Sequence, residues 1–184
     1  MAIPHVRLLT TSDLNEVVRI QTVAYEARFH EPVEAFRAKL IAAPTSCWIA
    51  ERAGTPMAYL ITLPMHDQGG LPLPALADAT AVQTHAQANW LYLHDLAVDP
   101  RCRGAGIAER LIEQALRYAV QHRIPQLGLV AVQSSEAFWN RHGFLRMAAP
   151  SPAVASKLRS FGSDALFMTQ RLRKVCDKSI HTID

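Results

Sequence analysis

The pattern of hydrophobic and polar positions is clearest between Asn89 and Arg123. Trp90 to Val98 is aromatic and apolar with few breaks, which predicts a strand buried on both faces of a sheet, and Pro100 ends it. Ile107, Ala108, Leu111, Ile112, Ala115, Leu116 and Ala119 then recur at helical spacing, with Glu109, Arg110, Glu113, Arg117 and Gln121 between them, so an amphipathic helix is predicted. Upstream, His5 to Leu9 reads as a short strand. Thr11-Ser12-Asp13 offers a cap for a helix whose face carries Leu14, Val17, Val18, Gln21 and Tyr25, and a second helix after Pro32 carries Val33, Phe36, Leu40 and Ile41. Cys47 to Ala50 and Met57 to Leu63 form a predicted antiparallel hairpin across Ala53-Gly54-Thr55-Pro56.

From Pro64 to Ala88 the periodicity collapses into turn residues. A connection of this length is expected to be either a substrate-side lid or a surface insertion. Leu127 to Val132 is a predicted buried strand, Ser134 and Ser135 are placed to cap a helix over Glu136 to Arg141, and Gly143 ends it. Phe144 to Met147 and Ala165 to Leu172 read as closing strands around a short helix near Ala155 to Arg159. The polar tail from Arg173 is expected to be disordered.

A chain of 184 residues with 49% hydrophobic content can bury a core unaided. One domain over residues 1–172 is therefore expected, with a loop insertion at 64–88 and a tail at 173–184. No run of about eighteen apolar residues marks a membrane span, and the N-terminus lacks the charged and apolar regions of a secretory signal, so a soluble, cytoplasmic protein with no membrane partner is expected. Cys47, Cys102 and Cys176 are odd in number and far apart, which supports neither a disulfide framework nor a zinc site. His66, His85 and His142 show no metal-ligand spacing, and no metal is expected. A formal charge of +3 from scattered residues is too mild to argue nucleic-acid binding, though it suits an anionic ligand.

That ligand is suggested by Arg101-Cys102-Arg103-Gly104-Ala105-Gly106. A helix N-terminus leaves about four N–H groups unpaired and carries roughly half a positive charge. Gly104 and Gly106 let an anion approach the backbone, and Arg101 and Arg103 add charge, so the loop reads as a pyrophosphate cradle. Glu109 stands where the dinucleotide fingerprint needs its third glycine, and no Gly-Lys-Ser/Thr follows as a triphosphate loop would need. Cys102, between two arginines, is either a thiol of raised reactivity or a variable loop position facing solvent.

Arg101-x-x-Gly104-x-Gly106 after a strand ending Leu96-Ala97-Val98, followed by the amphipathic helix, the strand at Leu127 to Val132 and the run Ala137-Phe138-Trp139-Asn140-Arg141-His142-Gly143-Phe144, resembles the GNAT superfamily of acyl-CoA-dependent N-acetyltransferases. The resemblance is strong from Trp90 to Met147 and looser over nearly the whole chain. It implies an α/β (α+β) fold with a mixed, mostly antiparallel central sheet of about six to seven strands, helices on both faces and a V-shaped splay between the fourth and fifth strands. Acetyl-CoA is implied as co-substrate and an amine as acceptor, while a homodimer stays open. The loop Arg28 to Glu31 is implied to help wall the acceptor site.

The same resemblance implies that the strand before the phosphate loop binds pantetheine, with the N–H of Leu96 facing the thioester oxygen and the backbone of Val98 pairing with the arm. The implied cofactor-binding set is Leu96, Ala97, Val98, Arg101, Arg103, Gly104, Ala105, Gly106, Ile107, Ala108, Ser135, Phe138 and Trp139. Strand alternation puts Tyr92, His94 and Leu96 on one face and Leu93 and Asp95 on the other. An amine of pKa near 10 arrives mostly protonated, so a base is required. His94, with an ordinary pKa of about 6.5, ranks first and Asp95 second. Relatives commonly carry a tyrosine acid where this chain has Trp139, whose indole N–H donates a hydrogen bond without releasing a proton. Trp139 then only orients the sulfur, or Tyr92 or water protonates it. The alternatives are a degenerate protein that binds acyl-CoA without turnover and an acyltransferase with a different donor or a hydroxyl acceptor.

Overall fold

A computed structural model of the chain describes residues 4–66, 88–148 and 152–172. The strand His5–Leu8 (β1) pairs antiparallel with Cys47–Arg52 (β2), which turns back into Thr55–Met65 (β3). The turn is narrower than the four residues expected. Ala53 at φ 49° and Gly54 at φ 76° both lie in the left-handed region, the geometry that two-residue hairpins favour. β3 also outruns its predicted end by two residues and pairs along its length with Trp90–Val98 (β4). Of the lid expected from Pro64 to Ala88, Pro64 and Met65 belong to β3 and residues 67–87 lie outside the described residues, as does the expected tail at 173–184.

β4 is followed by the helix Ile107–Gln121 (α3) and then by Gln126–Ala131 (β5), which lies parallel to β4. Leu145–Arg146 (β6) and Leu166–Arg171 (β7) complete a seven-stranded sheet in the order β1-β2-β3-β4-β5-β7-β6, whose other pairings are antiparallel. The fold is thus the mixed, mostly antiparallel sheet expected. Leu14–Ala24 (α1) and Val33–Ala42 (α2) cover one face, burying Leu14, Val17, Ile20, Phe36 and Leu40 against Ile49, Tyr59 and Ile61. α3 covers the other, and its buried Ile107, Leu111, Ile112, Ala115 and Ala119 meet Ala58, Leu60 and Leu91. Glu136–Arg141 (α4) adds Trp139 to the α3 side, while Pro152–Arg159 (α5) adds Val154 to the α1 side. No described helix is long and apolar enough to cross a membrane.

Two features of β4 shape the site. Its pairing with β5 lasts only from Trp90 to Leu93, opposite Gln126 to Leu129. Beyond that point β4 stays with β3 while β5 follows β7, so the two central strands splay apart. The second feature is a bulge. Ile61 pairs with Asp95 and Thr62 with Leu93, which leaves His94 as an extra residue without a partner on β3.

That bulge corrects the simple alternation. Leu93 and Leu96 both join the core under α3, and Tyr92 and Ala97 join the core under α1 and α2. Asp95 turns toward Tyr59 and His94 toward Glu31, so Tyr92, His94 and Asp95 share the α1/α2 side and Leu96 does not. The extra residue shifts the period by one, which moves every later side chain to the opposite face.

Candidate active site

The loop after β4 is built around Asp99, which is 2% exposed. Its carboxylate accepts hydrogen bonds from the Arg101 backbone N–H at 3.1 Å and from Arg19 at 3.1 Å, and Pro100 begins the 3₁₀ turn Pro100–Cys102. Arg101 also folds its guanidinium back onto Asp99, with contacts of 3.0 and 2.7 Å. Gly104 and Gly106 follow with φ of 76° and 70°, and a Cβ at either would meet nothing within 4 Å. These positions favour glycine for conformation rather than for space. Gly106 is the N-cap of α3, and no side chain caps that helix. Its first-turn amides remain available to an anion.

The splay supplies the rest of the cleft. Asp99 N–H donates to Met57 O at 2.8 Å, so by ladder alternation the backbone groups of Leu96 and Val98 point away from β3, toward the diverging β5. The Leu96 carbonyl accepts the Tyr25 hydroxyl at 2.6 Å. The resulting cavity has a volume of about 720 Å³. It is lined by Tyr92, His94, Asp95, Leu96, Ala97, Val98, Arg103, Gly104, Ile107, Ala108, Ser135, Phe138 and Trp139, all singled out in the sequence. Arg101, Ala105 and Gly106 are not among the lining residues. Ser135 precedes α4 without a capping side-chain bond, contrary to its expected role. Cys102 is half-buried against the α3-side core and lines the cavity rather than facing solvent.

At the α1/α2 end of the cavity lies a cluster of buried polar groups. His94 Nε2 stands 2.6 Å from Glu31 Oε1, and Glu31 Oε2 is paired with Lys39. The side chains of His94, Glu31 and Lys39 are 2%, 3% and 0% exposed. Gln21 of α1 holds the Glu31 backbone from both sides, accepting from its N–H at 2.8 Å and donating to its carbonyl at 3.0 Å. Burial pushes the Glu31 carboxyl upward. Its contacts with His94 and with the Lys39 ammonium outweigh that push and hold it at about 2.

An ionised Glu31 only accepts hydrogen bonds, so Nε2 of His94 carries the proton of that contact. In the neutral ring Nδ1 is then the acceptor, and this buried atom has no hydrogen-bond partner among the described residues. Asp95, the second-ranked base, instead accepts the Tyr59 hydroxyl at 2.6 Å, and burial raises its pKa against that bond. Burial likewise keeps Tyr92 and Tyr25 protonated. Trp139 is 8% exposed and packs edge-on to Phe138 and Phe144 at centroid distances of 5.1 and 5.3 Å.

Tyr25, Glu31 and Lys39 had no assigned chemistry in the sequence. One signal was present: Lys39 follows Phe36 at i+3 on the face of α2 that packs inward, a charged residue at a core position.

The sequence model of the Acetyltransferase (GNAT) family matches residues 14–144. No curated protein matches the chain. Among solved structures, the GphF GNAT-like decarboxylase in complex with isobutyryl-CoA superposes with a TM-score of 0.75 at 16% identity, covering 92% of this chain and 100% of its own. The loading GNATL domain of CurA from Lyngbya majuscula has a TM-score of 0.74 at 12% identity, with 92% and 98% covered. The ribosomal-protein-S18-alanine N-acetyltransferase from Escherichia coli has a TM-score of 0.66 at 17% identity, with 96% and 98% covered. At these identities the likeness is one of fold.

Proposed function

Because the chain belongs to the GNAT acetyltransferase family, we propose that it moves the acetyl group of acetyl-CoA to a primary amine by direct attack, with His94 as base. The family fold supports acyl transfer from an acyl-CoA; the donor and the acceptor are the proposed parts. The observation that carries the base is Nδ1 of His94, left as the acceptor of a ring whose other nitrogen is held by Glu31.

Coenzyme A fits the residues present. The uncapped start of α3 and the left-handed Gly104 and Gly106 suit its pyrophosphate, and the backbone edge of Leu96 and Val98 suits its extended pantetheine arm. The complex of the GphF relative with isobutyryl-CoA supports the same class of ligand. On this reading Nδ1 of His94 takes the proton of the arriving ammonium, directly or across one water. The Leu96 N–H donates to the carbonyl oxygen as it gains negative charge. Trp139 lines the cavity beside Phe138 and lends shape rather than a proton. Thiolate release needs no enzyme-bound acid when water reaches the sulfur. A cytoplasmic location, where acetyl-CoA is available, goes with this reading.

Thiol release is the test, measured with acetyl-, propionyl- and succinyl-CoA against panels of amines and alcohols. Amine-dependent release from acetyl-CoA, reduced about 10²- to 10⁴-fold in His94→Ala with CoA affinity intact, is expected. No release with any acceptor, while CoA still binds, would leave a binding protein, the reading that Trp139 favours. The decarboxylase relative adds one more arm: loss of CO₂ from a 2-carboxyacyl-CoA without an amine, the electron pair passing into the thioester enolate, would reassign the reaction.

A further inference from the structure

Lys39 is a charged residue in a place built for an apolar one. It lies on α2 beside Phe36, its Nζ 5.9 Å from that ring's centroid, and it is completely buried. It does not line the cavity and so touches no substrate. Its ammonium is paired with Glu31, whose other oxygen meets His94, in a buried line from α2 to the bulge of β4. Replacing buried ion pairs by well-packed apolar residues is often neutral or stabilising, so packing alone gives little reason for a lysine here.

The charge balance does give a reason. A buried carboxylate against an imidazole, with nothing else nearby, favours the imidazolium, because each charge compensates the other. An imidazolium carries a proton on both nitrogens and cannot act as a base. With Lys39 in place, the negative charge of Glu31 is already compensated. Glu31 then orients the ring through Nε2 without demanding a second proton on Nδ1.

Among the described residues the other groups facing His94 are few. Tyr92, on the same strand, has its ring 6.0 Å away, and burial keeps it protonated. Asp95 follows His94 directly and is engaged by Tyr59 of β3, while Tyr25, just after α1, donates to the Leu96 carbonyl. Among these neighbours Lys39 is the cation.

We propose that Lys39 and Glu31 are positioning residues that set the state of His94: Glu31 selects the ring with its proton on Nε2, and Lys39 keeps that ring neutral so that Nδ1 is free to accept a proton. This rests on His94 being the base of the reaction proposed above. Its consequences for the free protein, however, are independent of any turnover.

The experiment is an NMR titration of the full chain carrying ¹⁵N-labelled histidine, with the His94 signals assigned by their loss in His94→Gln. In the wild type the neutral ring is expected as the Nε2–H tautomer, a result that needs no variant at position 39. In Lys39→Met, which keeps the side chain's length, the His94 titration should move up by about 1–3 pH units; in Glu31→Gln it should move down by a similar amount. The acid limb of the pH–rate profile for thiol release should move in the same directions. An Nδ1–H tautomer in the wild type would overturn the proposal, as would an unmoved titration in a Lys39→Met protein that melts cooperatively. Expected NMR shifts without thiol release would uphold the charge arrangement and reject the transferase reading, so the two failures are distinguishable.

Discussion

The Tyr59 hydroxyl lies 2.6 Å from Asp95 Oδ2, across the bulge that brings Asp95 onto the same side of the sheet as His94. Asp95 is thereby engaged in holding β3 to β4, which separates its role from that of its neighbour. Tyr59→Phe, made at a fully buried position, should cost about 1–3 kcal/mol because the Asp95 carboxyl loses its hydrogen-bond partner on β3. Denaturant unfolding measures this. Asp95→Asn should leave thiol release within about tenfold of wild type, far less than the loss expected at His94. A larger loss in Asp95→Asn than in His94→Ala would exchange their roles.

The two arginines of the loop after β4 should behave differently toward CoA. Arg101 is drawn onto Asp99 and lies outside the cavity, whereas Arg103 lines it and reaches the Ala24 carbonyl at 3.4 Å. Arg101→Ala should change CoA affinity by less than about twofold. Arg103→Ala should weaken it about threefold to tenfold, with the gap narrowing in high salt as screening takes over. Calorimetry at two ionic strengths distinguishes the two sites.

Gly128 of β5 sits where the sheet is most crowded. A Cβ there would come within 2.9 Å of Phe167 and 3.0 Å of Trp90, both ring atoms held in the core. Gly128→Ala should therefore destabilise by about 1–3 kcal/mol through overpacking. A neutral result in denaturant unfolding would mean that the Trp90 and Phe167 rings yield more readily than their burial implies.

Acid stability has an identifiable contributor. Asp13 accepts two hydrogen bonds from Arg7 at 2.8 Å and one from the Thr10 N–H, and the Arg7 contact holds its pKa at about 2 against an ordinary 3.8. A lowered carboxyl pKa stabilises the fold fully above the ordinary value and loses that contribution as pH falls toward the folded one. Between pH 3.8 and about 2, stability should fall more steeply in the wild type than in Asp13→Asn. Unfolding free energies across that range check the sign.

The central unit, β4 with its loop and α3, was legible in the sequence because three local signals agree. A mostly apolar run, a Pro-and-Gly punctuated loop and a clear 3.6-residue period all fall at the observed boundaries of Trp90–Val98 and Ile107–Gln121. The bulge was not legible, because it is a property of two strands: the register of β3 against β4 makes His94 the extra residue. The partner of His94 was hidden for a related reason. Glu31 is 63 residues away in the chain, and only the packing of α1 and α2 on the sheet brings them together. The pairing of Arg101 with Asp99 was hidden as well, because it is decided by side-chain geometry within the turn. Local periodicity thus located the loop-and-helix side of the cleft, while the polar centre depended on long-range contacts.

Binding of an acyl-CoA in the gap between β4 and β5 is tested most directly by calorimetric titration of the purified protein with acetyl-CoA and with CoA, repeated on the double variant Gly104→Asp and Gly106→Asp. Aspartate is among the residues that best tolerate left-handed backbone, so the fold should survive, and thermal melting verifies that. The wild type should bind both ligands at one site per chain, and the variant should bind at least about tenfold more weakly, since its carboxylates repel the pyrophosphate. A folded wild type that binds neither ligand, or a variant that binds as tightly as the wild type, would contradict the assignment of this cleft.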